Sequence, residues 1–337
     1  MNEGIVLSGI QPTGELHIGN YFGAISNWVR LQESHRCYFT VVDLHAMTMP
    51  FEPAQLRQQT EQMVIDLLAC GIDPDRSLLF IQSLVPEHSE LCWILGCICP
   101  YGDLIRQTQF RDKAEQGSGQ SAERFVSAGL FIYPVLQAAD ILLYRAAQVP
   151  VGKDQLQHLE LARDIARRFN GRFGPLFPEP QPLLTETPKI HSLADPQRKM
   201  SKQFGPRHYI SLFEDEEGIR SKVRGAVTDV GDLPPGAPMS EGVANLFAIL
   251  DACGKEEEAT RLRREYEAGG RRYSLLKEAV TQALVEFIAP LRRRRAEIMA
   301  ERETVLRNVW EMSEKARDTA RDTMREVRRL AGLPPRD

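Results

Sequence analysis

Short apolar runs alternate with helically spaced apolar positions through the first half of the chain. Gly4 to Leu7 is a brief apolar run after a polar start. Tyr21, Phe22, Ile25, Trp28, Val29 and Leu31 then fall close to a helical period. Cys37 to Val42 reads as a buried strand, and Leu78 to Ile81 as the next one. Between them Pro53 opens a helix ending near Gly71, with Leu56, Met63, Val64, Leu67 and Leu68 as its apolar stripe. This alternation predicts an α/β fold, a parallel sheet covered by helices. Val149 to Gly152 has the composition of a strand end and turn. Asp154 is placed to cap a helix through Phe169, with Leu156, Leu159, Ala162, Ile165 and Ala166 facing inward.

From about Ile210 the pattern changes. Strand-like runs give way to long charged helical patterns that continue to Leu333. The expected organisation is an α/β domain over residues 1–209 and an all-helical domain over 210–337, in keeping with a length of 337 residues. Gln116 to Ser121 and Gly231 to Pro238 have loop composition.

Composition narrows the classes. Hydrophobic residues make up 42% and charged residues 26%, which excludes a disordered polyelectrolyte. The net charge of −4 excludes binding to nucleic acid by bulk charge. Residues 281–337 nevertheless carry 13 Lys and Arg against 10 Asp and Glu, so a mildly basic end is set against an acidic remainder. No run of about 18 apolar residues predicts a membrane helix. The start of the chain lacks the charged and apolar regions of a signal peptide, so a cytoplasmic location is expected. Six cysteines without paired spacing read as reduced, buried thiols, and no metal site is expected from them.

Two segments carry candidate chemistry. Pro12 to Asn20 follows the first strand and contains Gly14, His17 and Gly19. Glycines let a phosphate approach the backbone, and a helix N-terminus favours an anion. His17 and Asn20 can both donate hydrogen bonds, although an ordinary strand–turn–helix would look the same. Lys199-Met200-Ser201-Lys202 places two lysines three apart in a polar setting. Such a pair can neutralise a polyphosphate in a transition state, and a solvated basic loop is the plain alternative.

Together and in this order, the two segments resemble the HIGH and KMSKS signatures of class I aminoacyl-tRNA synthetases. Ser8 to Gly14, Val42 to Ala46, Ala128 to Leu130, Tyr133 to Ile141 and Val149 to Gln155 resemble the tryptophanyl-tRNA synthetase family, bacterial or organellar type. His158, Glu160, Arg163-Asp164, Ala226 to Asp229 and Gly242 to Leu246 extend the likeness, which runs from Gly4 to Gly332.

The resemblance implies a Rossmann-type nucleotide-binding domain, a helical domain at the anticodon side of tRNA, and a homodimer. It implies a Mg²⁺-assisted reaction of L-tryptophan with ATP, then transfer to tRNA. On this resemblance His17, Asn20, Lys199 and Lys202 are the catalytic candidates. Gln11, Thr13, Gly19, Gly152, Asp154, Met200 and Ser201 join them around ATP. Gly9, Gln11, His45, Tyr133, Gln137, Asp140, Ile141 and Gln155 surround tryptophan, with Asp140 accepting the indole N–H. Taken alone, Asp140 reads as readily as a helix cap.

Departures from the family pattern are Gln203 and Phe204-Gly205 in the lysine loop, Gln137 for methionine and Leu7 for an aromatic residue. Lys153 stands for an acidic residue, and Arg111 for lysine; Arg111 and Lys113 are weak phosphate candidates. Arg261/Arg263/Arg264, Arg271/Arg272 and Arg292 to Arg295 are basic runs for tRNA, against the commoner outcome of a solvated face. Pro290 suggests the opening turn of a long helix. Trp28, Trp93 and Trp310 are expected in the core. His35, His88, His191 and His208 have no motif support. A tyrosine-specific relative and a non-catalytic tryptophan-sensing or RNA-binding paralogue are the competing readings.

Overall fold

Five strands, β1 (Val6–Ile10), β2 (Cys37–Val41), β3 (Ser77–Ile81), β4 (Gln148–Val151) and β5 (Gln181–Leu184), form one parallel sheet in the order β3-β2-β1-β4-β5. The computed structural model describes residues 4–106, 127–152, 155–184, 188–229, 238–270 and 272–336. Gln116–Ser121, Arg111, Lys113, Lys153, Asp154, Arg271 and Gly231–Ala237 lie outside them.

β2 and β3 sit where the apolar runs predict them, while β1 starts at Val6 and runs on through Ser8-Gly9-Ile10, past the expected Gly4–Leu7. Their side chains alternate between two cores, one on each face of the sheet. Cys37, Phe39, Val41, Leu79 and Ile81 enter one core, while Leu7, Tyr38 and Phe80 enter the other. β5 (Gln-Pro-Leu-Leu) has no such apolar run. It is an edge strand, which is where a proline is tolerated in a sheet.

The helical pattern after β1 is α1 (Ile18–Asn20), a π-helical stretch over Tyr21–Ile25, and α2 (Ser26–Leu31). Next come α3 (Asp43–Ala46), α4 (Pro53–Ala69), α5 (Glu87–Gly96) and α6 (Tyr101–Ile105). Proline at the first position of α4 costs no hydrogen bond there. α7 (Ala128–Leu143) is capped by Ser127, whose hydroxyl accepts from Leu130 N at 3.1 Å. α8 (Leu156–Phe173) runs past the expected Phe169 and takes Gln155 as its N-cap. α9 (Glu216–Arg224), α10 (Glu241–Ala252), α11 (Glu256–Glu267), α12 (Tyr273–Ala300) and α13 (Arg302–Ala331) complete the chain.

Three expectations need correction. Pro290 does not open a helix; α12 starts at Tyr273 and carries the proline inside. Trp28 is buried and stacks on Phe39 at 4.9 Å, but Trp93 is 76% exposed and Trp310 56%. The two exposed tryptophans sit on outer helix faces that a 3.6-residue period alone did not separate from inner ones. Of the cysteines, Cys37 and Cys70 are buried, while Cys97 is exposed.

The helices after residue 210 do not keep to themselves. Leu246, Leu284 and Ile288 join the same core as Val6 and Phe39. α13 begins in that core with Leu306 and Val309 and ends in the other with Ala320 and Val327. On the way it packs along β3, the second edge strand. Ile81 N donates to Ser313 Oγ at 3.3 Å, and Arg317 pairs with Glu87. A helix laid on an exposed strand edge protects it from pairing with another chain.

Candidate active site

The sheet order reverses direction between β1 and β4, and such a switch point leaves a crevice at the strands' carboxyl ends. A cavity of about 460 Å³ lies there. β1 and its exit supply Leu7, Ser8, Gly9 and Gln11; β4 supplies Val149 to Val151 and leads into Gly152. α7 adds Tyr133, Gln137, Asp140 and Ile141, and His45, Gln155 and Lys199 complete the relevant wall. A Cβ at Gly9 would sit 2.9 Å from Val42 Cγ1, so the wall admits no side chain at that position without moving.

Asp140 is 4% exposed and anchors one end of the cavity. Its Oδ2 meets His45 Nε2 at 2.8 Å. Its Oδ1 accepts from Gln82 Nε2 at 2.7 Å and lies 2.7 Å from His88 Nδ1. Burial alone would raise the carboxyl's pKa, but hydrogen bonds from His45 and His88 outweigh it and hold the pKa at about 2. A carboxylate offers about four acceptor positions, and three are filled by described residues. The remaining one is on Oδ2. Nearby, Tyr133 Oη meets His158 Nε2 at 2.9 Å, and burial pushes the phenol up to about 12, so it stays protonated.

The other cluster joins the two signature segments. His17 precedes α1; its N donates to Asn20 Oδ1 at 3.1 Å, which leaves Asn20 Nδ2 to donate elsewhere. Burial, then the charges of Lys202 and Lys199, push the His17 pKa down to about 4, so the ring is neutral at pH 7. The space a Cβ would need at Gly19 is taken by the His17 ring at 3.0 Å and Met200 Cβ at 3.3 Å. Lys202 Nζ donates to Thr13 O at 2.8 Å and Glu15 O at 2.7 Å. Glu15 in turn accepts from Tyr209 Oη at 2.6 Å and Ser211 Oγ at 2.7 Å. Met200 is 2% exposed and pins the loop. Ser201 Oγ accepts from Gln203 N at 3.3 Å, and Gly205 turns at φ +100°, a conformation that suits glycine.

Gly9, Gln11, His45, Tyr133, Gln137, Asp140, Ile141, Gly152, Gln155 and Lys199 therefore share one cavity. Thr13, His17, Gly19, Asn20, Met200, Ser201 and Lys202 gather in the adjoining cluster. Asp154 lies outside the described residues. Sequence reasoning missed Gln82, His88, Glu15 and Tyr209. Gln82 carries one usable signal, a polar residue directly after a buried strand; His88 carries none.

The model of the family described as tRNA synthetases class I (W and Y) matches residues 2–289. The chain belongs to that family, whose class the sheet, the crevice and the paired signature segments define. It is 45% identical to tryptophan–tRNA ligase 2 of Streptomyces avermitilis over 337 residues, 98% of this chain and 97% of that protein. It is 42% identical to tryptophan–tRNA ligase of Clostridium tetani, covering 98% and 96%. Tryptophanyl-tRNA synthetase of Campylobacter jejuni, solved with ADP and tryptophan, superposes with a TM-score of 0.83 at 34% identity, covering 98% of this chain and all of that one.

Proposed function

We propose that this enzyme joins L-tryptophan to its tRNA through a tryptophanyl-adenylate, releasing pyrophosphate and then AMP. The observation that carries the choice of amino acid is Asp140: buried, ionised, and with one acceptor position left beside the cavity. An indole N–H fills it. Phenylalanine leaves it unpaired, at a cost of about 1–3 kcal/mol. The high identity to tryptophan enzymes supports this reading over a tyrosine-specific one.

The substrate carboxylate is already ionised at pH 7, so no protein base is needed for the first step. The work is alignment with the α-phosphate and stabilisation of charge moving to pyrophosphate. Tyr133 and Gln155 hold the ammonium and carboxylate end, next to Gly9, Gln11, Gln137 and Ile141. His17, Asn20, Lys199 and Lys202 face the phosphates; Thr13, Gly19, Gly152, Asp154, Met200 and Ser201 frame the nucleotide. Among the described residues no cluster of three or more His, Cys, Asp or Glu could cage a metal. Mg²⁺ is proposed to arrive on the ATP phosphates, keeping several of its waters rather than entering an all-protein cage.

Residues 1–209 are assigned the chemistry and 210–337 the anticodon side of tRNA. Arg292, Arg293 and Arg294 have no ion-pair partner among the described residues and suit phosphate contacts. Arg295 is committed to Asp66 at 2.7 Å. Among the described residues no helix is long and apolar enough to cross a membrane. A cytoplasmic homodimer is the proposed working form, with a solution mass twice 38.1 kDa. Amino-acid-dependent ATP–pyrophosphate exchange with all twenty amino acids tests the reaction. Tryptophan-dependent exchange is expected; tyrosine-dependent exchange, or tryptophan binding without exchange, overturns the proposal.

A further inference from the structure

Asp140 is tied down on the side away from the substrate by a residue that lines no part of the cavity. His88 is completely buried. Its Nδ1 is 2.7 Å from Asp140 Oδ1, and its Nε2 is 2.9 Å from Tyr144 Oη. Tyr144 is itself 1% exposed, packed against Tyr38, Phe80 and the His88 ring.

The direction of each bond follows from the groups. A carboxylate only accepts, so His88 Nδ1 carries the proton that reaches Oδ1. In a neutral ring Nε2 is then an acceptor, and the Tyr144 hydroxyl donates to it. Burial, with the nearby Asp140 charge next, raises the Tyr144 pKa well above its ordinary value and keeps that hydroxyl protonated. The carboxylate thus sets the proton on Nδ1, and the Tyr144 hydroxyl, donating at 2.9 Å to the other nitrogen, reinforces that tautomer and holds the ring's orientation. The opposite tautomer would set a nitrogen lone pair against Oδ1 and turn the carboxylate.

We propose that His88 is a positioning residue for amino-acid selection: Tyr144 orients its ring and reinforces its tautomer, His88 pins Oδ1 of Asp140, and the open acceptor position of Oδ2 is thereby aimed at the ring N–H of the substrate. The inference rests on the reading of Asp140 as the indole acceptor. Gln82 shares Oδ1 and is oriented by Leu44 N, which donates to its Oε1 at 3.2 Å. Gln82 and His88 thus hold Oδ1 together, each at 2.7 Å.

The test compares tryptophan with its analogue in which sulfur replaces the ring N–H, measured as KM and kcat in pyrophosphate exchange. Wild type is expected to prefer tryptophan by about tenfold or more, as for loss of a hydrogen bond to a charged group. Tyr144→Phe keeps the ring packing and is expected to lower that preference roughly fivefold, through KM for tryptophan alone. Its kcat, its KM for ATP and its handling of the sulfur analogue stay unchanged. His88→Asn, whose amide nitrogen takes the place of Nδ1, retains most of the preference; His88→Leu loses it. Equal losses for both amino acids mean a merely structural role and overturn the proposal, as does an unchanged preference in both Tyr144→Phe and His88→Leu. A wild type that does not distinguish the two amino acids removes the Asp140 reading itself. Independently of any variant, ¹⁵N shifts of the wild-type ring are expected to show a neutral Nδ1–H form, and an Nε2–H form overturns the assignment.

Discussion

Lys202 holds two backbone carbonyls of the first signature segment, while Lys199 lines the cavity. Both are proposed to engage the phosphates, and neither is paired with Asp140. Lys199→Ala or Lys202→Ala is therefore expected to slow adenylate formation by about 10²–10³ while leaving tryptophan affinity nearly intact. Pre-steady-state adenylate formation and equilibrium tryptophan binding, measured together, check this; a collapse of affinity contradicts it. His17 makes a prediction of another kind. Its folded pKa of about 4 lies below the ordinary 6.5, so the folded chain resists the proton that the unfolded chain accepts. Its contribution to stability is full above pH 6.5 and is lost as the pH falls towards 4, at up to about 1.4 kcal/mol per pH unit. Urea unfolding across this range is expected to show a shallower acid-side loss for His17→Asn than for wild type; identical slopes contradict the assignment. At this scale the cavity was legible only through the family resemblance, which named Tyr133, Gln137, Asp140 and Ile141; helical spacing alone left Asp140 a plain cap, and the structure sets all four along α7. His88 was not, because its role depends on packing between α5 and α7, which no local pattern encodes.

Among the elements, α7 is the one on which the site depends most. It carries four cavity residues and ends in a tight reversal: Ala146 N donates to Ile141 O at 3.1 Å, with Arg145 at φ +49°. This is a Schellman ending, with an arginine where glycine normally sits. A side chain in that conformation costs about 1–2 kcal/mol. Arg145→Gly is expected to stabilise the fold by up to about 1 kcal/mol, the remainder being lost to glycine's larger unfolded-state entropy. Urea midpoints at constant m-value read it; a destabilised variant refutes the strain. Strands β2 and β3 were legible because both faces of a parallel strand are buried and read as unbroken apolar runs, whereas Ser8 and Gly9 interrupt β1 and shifted its expected bounds. β5 was not, since an edge strand with Pro182 carries little of that pressure. The interior Pro290 likewise misled because proline is commoner at helix starts than within them.

At the scale of the whole molecule, what the sequence conceals is the return of α13. Its sequence sets opposite charges three apart, as in Asp318–Arg321, Asp322–Arg325 and Glu326–Arg329, so it reads as a solvated rod, although Arg302, Arg317 and Arg328 pair with Glu61, Glu87 and Glu90 of other elements. Its buried stripe instead completes both cores and covers β3. A chain ending at Glu301 is expected to be insoluble or to lack a cooperative unfolding transition, measured by solubility and near-ultraviolet dichroism. A soluble, cooperatively folded product would show that the sheet does not depend on α13. The same placement has a temporal side. At about 5–20 residues per second, roughly ten to forty seconds separate the synthesis of Ile81 from that of Arg302. For that interval the ribosome-bound chain has no α13 with which to cover the β3 edge. Slower translation lengthens that exposure and is expected to lower the soluble yield of an otherwise unchanged chain.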